Sequence, residues 1–284
     1  MKGKGMAYGA ASIINAMPAG FGAAFSVGLK TNAEVELTDG EAVEVEIKGD
    51  QGEDKKLAVE SFKVVMKRFG LKKGGMITTA SEIPIAIGMK SSSAAANAIV
   101  LATLDALGEK VQELDVVKMG VEASVRAGVT LTGAFDDACA SLLGGLHVTD
   151  NYGRQILKSF NMEPLSVVFL VPERKSYSGK VDAARIKSYA RTSLLALEDA
   201  LAGRHWQAML LNGLVMADAF GVDPAPIVTA IKNGALSAGL CGKGPSICAV
   251  SKKEQEADIV DAWAGLGFRL IRTQTNSNHG RQGA

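Results

Sequence analysis

EIPIAIGMKSSSAAANAIVLATLDAL, residues 82–107, is the stretch from which the rest of this chain is read. Pro84 and Gly88 punctuate an apolar approach, and a serine run, an alanine run and a long apolar segment follow. The pattern predicts a helix over residues 91–107. A helix N-terminus carries unpaired N–H groups and positive partial charge, so it holds phosphate well. Small side chains at Gly88, Ala94, Ala95 and Ala96 let phosphate oxygens reach the backbone. The hydroxyls of Ser91, Ser92 and Ser93 can cap the helix, bind phosphate or ligate a metal ion. Taken alone, the segment reads equally well as a serine-capped, alanine-rich core helix. It is not the GxxxxGK[ST] loop, and that pattern occurs nowhere in the chain. The string GFGAAF at 20–25 lacks the last glycine of a dinucleotide fingerprint and a clear strand before it.

Outward from that segment, strands and helices mix without regular alternation. Residues 33–47, AEVELTDGEAVEVEI, alternate in polarity and predict a hairpin turning at Asp39–Gly40. Residues 54–69 have the spacing of an amphipathic helix, and helices are also expected at 113–126 and 134–143. A second lobe is expected from residue 151. It opens with the apolar strand SVVFLV at 166–171. Helices follow to about Met216 and again at 224–233, then strands at 236–240, 247–251 and 269–273 with a helix at 253–264. This order favours an α+β fold over a doubly wound sheet. Two lobes follow, 1–150 and 151–284. The polar tail NSNHGRQGA is expected to be disordered.

Composition narrows the function classes. The 284 residues carry 31 basic and 30 acidic side chains, a net charge of +1. That balance provides no field that would attract nucleic acid or an anionic membrane. Aromatic residues are 5% of the chain, too sparse for base-stacking platforms. No run of about 18 apolar residues occurs, so no membrane span is expected. The N-terminal residues are weakly basic and then small and apolar, a poor match to a signal peptide. Cys139, Cys241 and Cys248 form neither a CxxC pair nor a disulfide framework, and a cytoplasmic protein is expected.

The segment Pro84-Ile85-Ala86-Ile87-Gly88-Met89-Lys90-Ser91-Ser92-Ser93-Ala94 resembles the P-x-x-x-G-L-G-S-S-A loop of the GHMP kinases. Lys90 stands where that loop has its second glycine, and Ser93 where it has its first alanine. Lys90 either adds a phosphate contact or puts a solvated charge on the rim. Residues 11–29, ASIINAMPAGFGAAFSVGL, are similar to the opening of homoserine kinases, with Asn15, Gly20 and Phe21 in register. Residues 240–250, LCGKGPSICAV, resemble the superfamily's glycine-rich third motif. With GVTLTGAFDDACASLLGG at 128–145, the combination is similar to the archaeal-type shikimate kinase branch.

The resemblance implies a two-lobed fold with ATP in the cleft between the lobes and Mg²⁺ beside its phosphates. It implies transfer of phosphate to the 3-hydroxyl of shikimate, a step toward chorismate and the aromatic amino acids. Cofactor contacts are expected from residues 84–94, Gly242 and Gly244. Asp137 matches the family's catalytic aspartate, with Asp136 the alternative one residue away. Ser92 and Glu122 are the expected metal ligands. Asn15, Gly20 and Arg191 are expected at the acceptor, whose carboxylate calls for Arg or Lys; Arg126, Lys175, Arg185 and Arg272 are further sources. Mevalonate kinases place a lysine in the first motif to act with the aspartate. Here Ala11, Ser12 and Asn15 stand there, so that partner is unassigned. Homoserine kinase is the alternative enzyme, although that branch has Asn where Asp137 stands. A GHMP-fold nucleotide or sugar sensor is the alternative without turnover.

Overall fold

The alternating stretch at 33–47 does form two strands, but they are not each other's partners. The computed structural model describes residues 1–49, 52–84, 88–130, 132–172 and 182–283. Its elements begin β1 (Lys2–Ile14), β2 (Phe21–Thr38), β3 (Val43–Ile47), α1 (Lys56–Arg68) and β4 (Gly74–Ser81). β4 lies between β2 and β3, antiparallel to the first and parallel to the second. The expected hairpin at Asp39–Gly40 is therefore corrected to a connection that skips one strand. Alternation shows which face a strand buries, but says nothing about its neighbour.

Next come α2 (Ser91–Leu107), α3 (Glu113–Ala127), α4 (Phe135–Leu143), β5 (Leu146–Asp150) and β6 (Gln155–Phe160). The first sheet has the order β11-β1-β2-β4-β3, where β11 is the C-terminal pair Arg281–Gln282. β2 is long enough to take β4 along residues 31–38 and β5 along residues 21–25, and β6 extends from β5. Helix α2 lies against β1 almost backbone to backbone. A Cβ on Gly5 would stand 2.3 Å from the Ala98 carbonyl, and one on Gly3 2.1 Å from the Ala106 amide. Ala98, Ala102 and Ala106 of α2 are thus matched by glycines on the strand beneath them. A helix with larger side chains there would be held away from the sheet.

The remaining elements are β7 (Ser166–Val171), α5 (Ala183–Ser188), α6 (Ala190–Leu201), α7 (His205–Phe220), α8 (Ala225–Lys232), β8 (Ser237–Leu240), β9 (Ile247–Ser251), α9 (Glu256–Ala264) and β10 (Arg269–Gln274). The second sheet has the order β10-β7-β9-β8. One buried cluster joins the two sheets: Ala11, Phe25 and Leu146 from the first, Val167, Phe169 and Val250 from the second, with Leu197 and Met209 from α6 and α7.

The polar tail departs from its expected disorder. The Asn276 amide donates to the Ser26 carbonyl at 3.0 Å, and its side chain donates to Ser26 Oγ at 3.0 Å. Gly145 N donates to the Asn276 carbonyl at 2.8 Å, and β11 pairs with β1. These polar residues satisfy backbone groups that the first sheet leaves unpaired, which composition alone does not show. Among the described residues no helix is long and apolar enough to cross a membrane.

Candidate active site

Helix α2 starts without a side-chain cap. The residue before it, Lys90, is left-handed at φ 63° and ψ 29°, a conformation that favours glycine. A lysine has no acceptor to offer, and no described side chain caps the first-turn amides. Gly88 lies just upstream at φ +88°, and a Cβ there would stand 2.3 Å from the Cys241 carbonyl. The serine loop is therefore pressed against the glycine-rich turn at 241–244. Gly88, Lys90, Ser91 and Ser92 line a cleft of about 500 Å³, with Gly242, Lys243 and Gly244 opposite. The other predicted loop residues have different places. Met89, Ser93 and Ala94 are buried beneath the loop, and Pro84 is half-buried outside the cleft lining. Ile85, Ala86 and Ile87 lie outside the described residues.

Gly133 and Ala134, both at positive φ, turn the chain into α4 and place Asp136 and Asp137 in its first turn. Both are buried and both line the cleft. Asn97 of α2 donates to the Ala138 carbonyl at 3.0 Å and ties that turn to the phosphate-loop helix. Lys90 Nζ donates to Asp137 Oδ2 at 2.8 Å, and Asp137 Oδ1 has no hydrogen-bond partner among the described residues. Burial would push the Lys90 ammonium down, but the Asp137 and Asp136 carboxylates outweigh it and hold it above its ordinary value.

Asp136 faces the other way. Asn151 Nδ2 donates to its Oδ1 at 2.8 Å, Thr149 Oγ1 fixes Asn151 at 2.6 Å, and a Cβ on Gly22 would strike Asp136 Oδ2 at 2.5 Å. Burial, then the neighbouring Asp137, pushes Asp136 up to about 7. A raised carboxyl stabilises the fold fully below its unfolded value near 4, and that contribution is lost as pH rises through 7. Asp136→Asn keeps the volume and cannot ionise. Between pH 5 and pH 7 the stability of the variant should gain on that of the wild type by roughly 2–3 kcal/mol. Melting temperatures of both proteins across that range test this, and parallel curves would count against it.

Other predicted residues are sorted by the fold. Asn15 lines the cleft; its Nδ2 donates to the Gly242 carbonyl at 2.8 Å and its backbone N donates to Asn212 Oδ1 at 3.1 Å. Gly20 lies against the Tyr152 ring outside the cleft lining, and Arg191 is exposed on α6, also outside it. Glu122 is not brought to the cleft. Its carboxylate accepts from Arg126, one turn along α3, at 2.6 Å. Helical spacing placed it on the side of α3 that pairs with its own helix. Arg185 is engaged with Asp218, and Arg272 with the buried Glu256. Lys175 lies outside the described residues.

The sequence reading missed part of the cleft lining. Thr31, Thr79, Ser81, Leu57 and Ile99 come together there from β2, β4, α1 and α2. None belongs to a motif, and only the sheet order juxtaposes them. It also missed Lys243, although that residue sits inside the quoted third motif between two glycines that were singled out. For Mg²⁺, the cleft lining includes the Ser91 and Ser92 hydroxyls and the Asp136 and Asp137 carboxylates, the latter two already bonded to Asn151 and Lys90. No group of three or more His, Cys, Asp or Glu side chains suited to a metal occurs among the described residues. Such a donor set fits an ion that arrives on a polyphosphate, which supplies most of its ligands.

The family model "GHMP kinases N terminal domain" matches residues 56–145. A shikimate kinase of Methanothrix thermoacetophila is 46% identical over 283 residues, covering 100% of this chain and 97% of that protein. This chain belongs to the shikimate kinase branch of the GHMP kinases. Within the branch, the shikimate kinase of Pyrococcus abyssi is 41% identical over 94% of this chain and 97% of its own. The GHMP fold extends further. A homoserine kinase structure from Cytophaga hutchinsonii superimposes with TM-score 0.79 at 19% identity, covering 99% of this chain and 97% of its own. Leishmania major mevalonate kinase in complex with R-mevalonate superimposes at 0.75 and 15% identity, over 97% and 96%. In this GHMP kinase the lysine beside Asp137 is Lys90, from the segment that resembles the family's phosphate loop.

Proposed function

We propose that this chain transfers the γ-phosphoryl group of ATP to the 3-hydroxyl of shikimate, giving shikimate 3-phosphate and ADP. This is a step toward chorismate and the aromatic amino acids, carried out in the cytoplasm. The observation that carries the mechanism is the buried, unpartnered Oδ1 of Asp137, a residue of the cleft lining, with Oδ2 held by Lys90. A hydroxyl directed at Oδ1 gives up its proton there as its oxygen attacks the γ-phosphorus. The bond to the β–γ bridging oxygen breaks, and ADP leaves with that electron pair. Lys90 keeps Asp137 oriented and balances its charge through the step. The open amides of α2, with Ser91 and Ser92, hold the nucleotide's phosphates. The hydroxyl-bearing apolar end at Leu57 and Ile99 takes the base. Ser92 or Ser91 would hold Mg²⁺, which would supply neutralisation of the phosphate charge.

The test is a coupled ATP-to-ADP assay with shikimate, homoserine and mevalonate offered separately. Turnover with shikimate should exceed that with the other two by at least about 100-fold, the scale of a pocket built around a carboxylate and several hydroxyls. Background rates with shikimate would sink the proposal, and comparable rates with homoserine would move the chain to that activity.

A further inference from the structure

We propose that Lys243 binds the carboxylate of the acid acceptor and so selects acids over neutral alcohols. This rests on the shikimate reading above and assigns a residue to its recognition. The described cations that line the cleft are Lys90 and Lys243. Lys90 is already engaged, with its ammonium on Asp137 at 2.8 Å. Lys243 has no hydrogen bond or ion pair to any described residue, and burial followed by the nearby Lys90 pushes its ammonium down. A half-buried lysine beside a second lysine is an unfavourable arrangement that an anion relieves.

The turn holds Lys243 in place. Gly244 N donates to the Cys241 carbonyl at 2.8 Å, closing a tight turn with Lys243 near its tip. Gly242 is pinned on both sides: its N donates to Ser12 Oγ at 3.1 Å and its carbonyl accepts from Asn15 at 2.8 Å. Lys243 is thereby anchored to the segment Asn15, Ala16 and Met17, which forms the adjoining cleft wall. The phosphates already have the α2 amides and the serine hydroxyls. The carboxylate has no other unengaged cation among the described cleft residues. Arg126, Arg185 and Arg272 are each paired elsewhere, and Arg191 is exposed outside the cleft.

Lys243→Met, Lys243→Arg and the wild type are compared in the coupled assay, with shikimate and with its neutral methyl ester as acceptors. For Lys243→Met the KM for shikimate should rise about 10- to 100-fold, the loss of one charge-assisted hydrogen bond. kcat and the KM for ATP should move less than about threefold. Wild type should prefer the acid to the ester by a similar factor, Lys243→Met should lose that preference, and Lys243→Arg should keep most of it. An unchanged KM for shikimate overturns the inference. So does a fall in kcat at constant shikimate KM, which would put Lys243 on the phosphoryl group instead. A wild type inert toward shikimate is a different failure: it sinks the function and this assignment with it.

Discussion

Asp137→Asn should lower kcat by about 10²–10⁴-fold while the Kd for ATP changes less than about threefold. The substituted amide has the same shape but cannot accept a proton as the hydroxyl attacks. In the proposed mechanism the nucleotide's phosphates meet the α2 amides and the serine hydroxyls, and the isosteric amide at 137 keeps an oxygen for Lys90, so that end of the site should be little disturbed. Equilibrium nucleotide binding and single-turnover rates separate the two effects. Asp136→Asn is the necessary comparison, since that carboxyl is buried one residue away and holds its proton up to about 7. Its Oδ1 is occupied by Asn151 and its Oδ2 lies against Gly22, so the loss there should be under about tenfold. The reverse ranking would give the proton transfer to Asp136.

Lys90→Met should be nearly as damaging, and for two reasons that can be measured apart. Removing the cation leaves two adjacent buried carboxylates without a counter-ion. Breaking a buried pair from one side costs on the order of 3–5 kcal/mol, so the melting temperature should fall. Lys90 lowers the Asp136 carboxyl, so without that cation Asp136 should hold its proton to higher pH. The acid limb of the kcat profile should then move up by about 1–2 pH units, because an opposite charge at this range shifts a carboxyl by that much. A purely structural lysine would lower the melting temperature and leave the profile where it was. At neutral pH the expected loss in kcat is about 10²-fold. Since Lys90 and Asp137 act together, the double variant should lose little more than Asp137→Asn alone.

The places where sequence reading succeeded share a feature. α1, α2, α3 and α4, the strand at 166–171 and the glycine-rich turn at 241–244 are each specified by residues close together in the chain. Helical spacing, serine and glycine punctuation and an apolar run are local signals, and the first turn of α4 with its acidic pair was legible for that reason. The strand partners were not. β4 enters between β2 and β3 from about thirty residues downstream, and nothing in either strand's alternation encodes that choice. The tail misled through its composition: polar residues there bond to Ser26 and Gly145 rather than to water.

Lys90 shows the division most sharply. The sequence by itself determined that a lysine interrupts a phosphate loop at a glycine position, and that an acidic pair follows about forty-five residues later. It left open a phosphate contact or a solvated charge on the rim. Only the tertiary structure excluded the solvated charge: Lys90 is largely buried and α4 brings Asp137 to within 2.8 Å of its ammonium, while Lys90 still lines the cleft with donors left for a phosphate. Glu122, which the family resemblance made a metal ligand, is placed by its helix against Arg126 at 2.6 Å, outside the cleft lining. Local patterns set which elements form and which residues begin them. Which charges meet depends on how α2, α4 and the 241–244 turn converge, and that is set by burial of apolar and small residues far from the site.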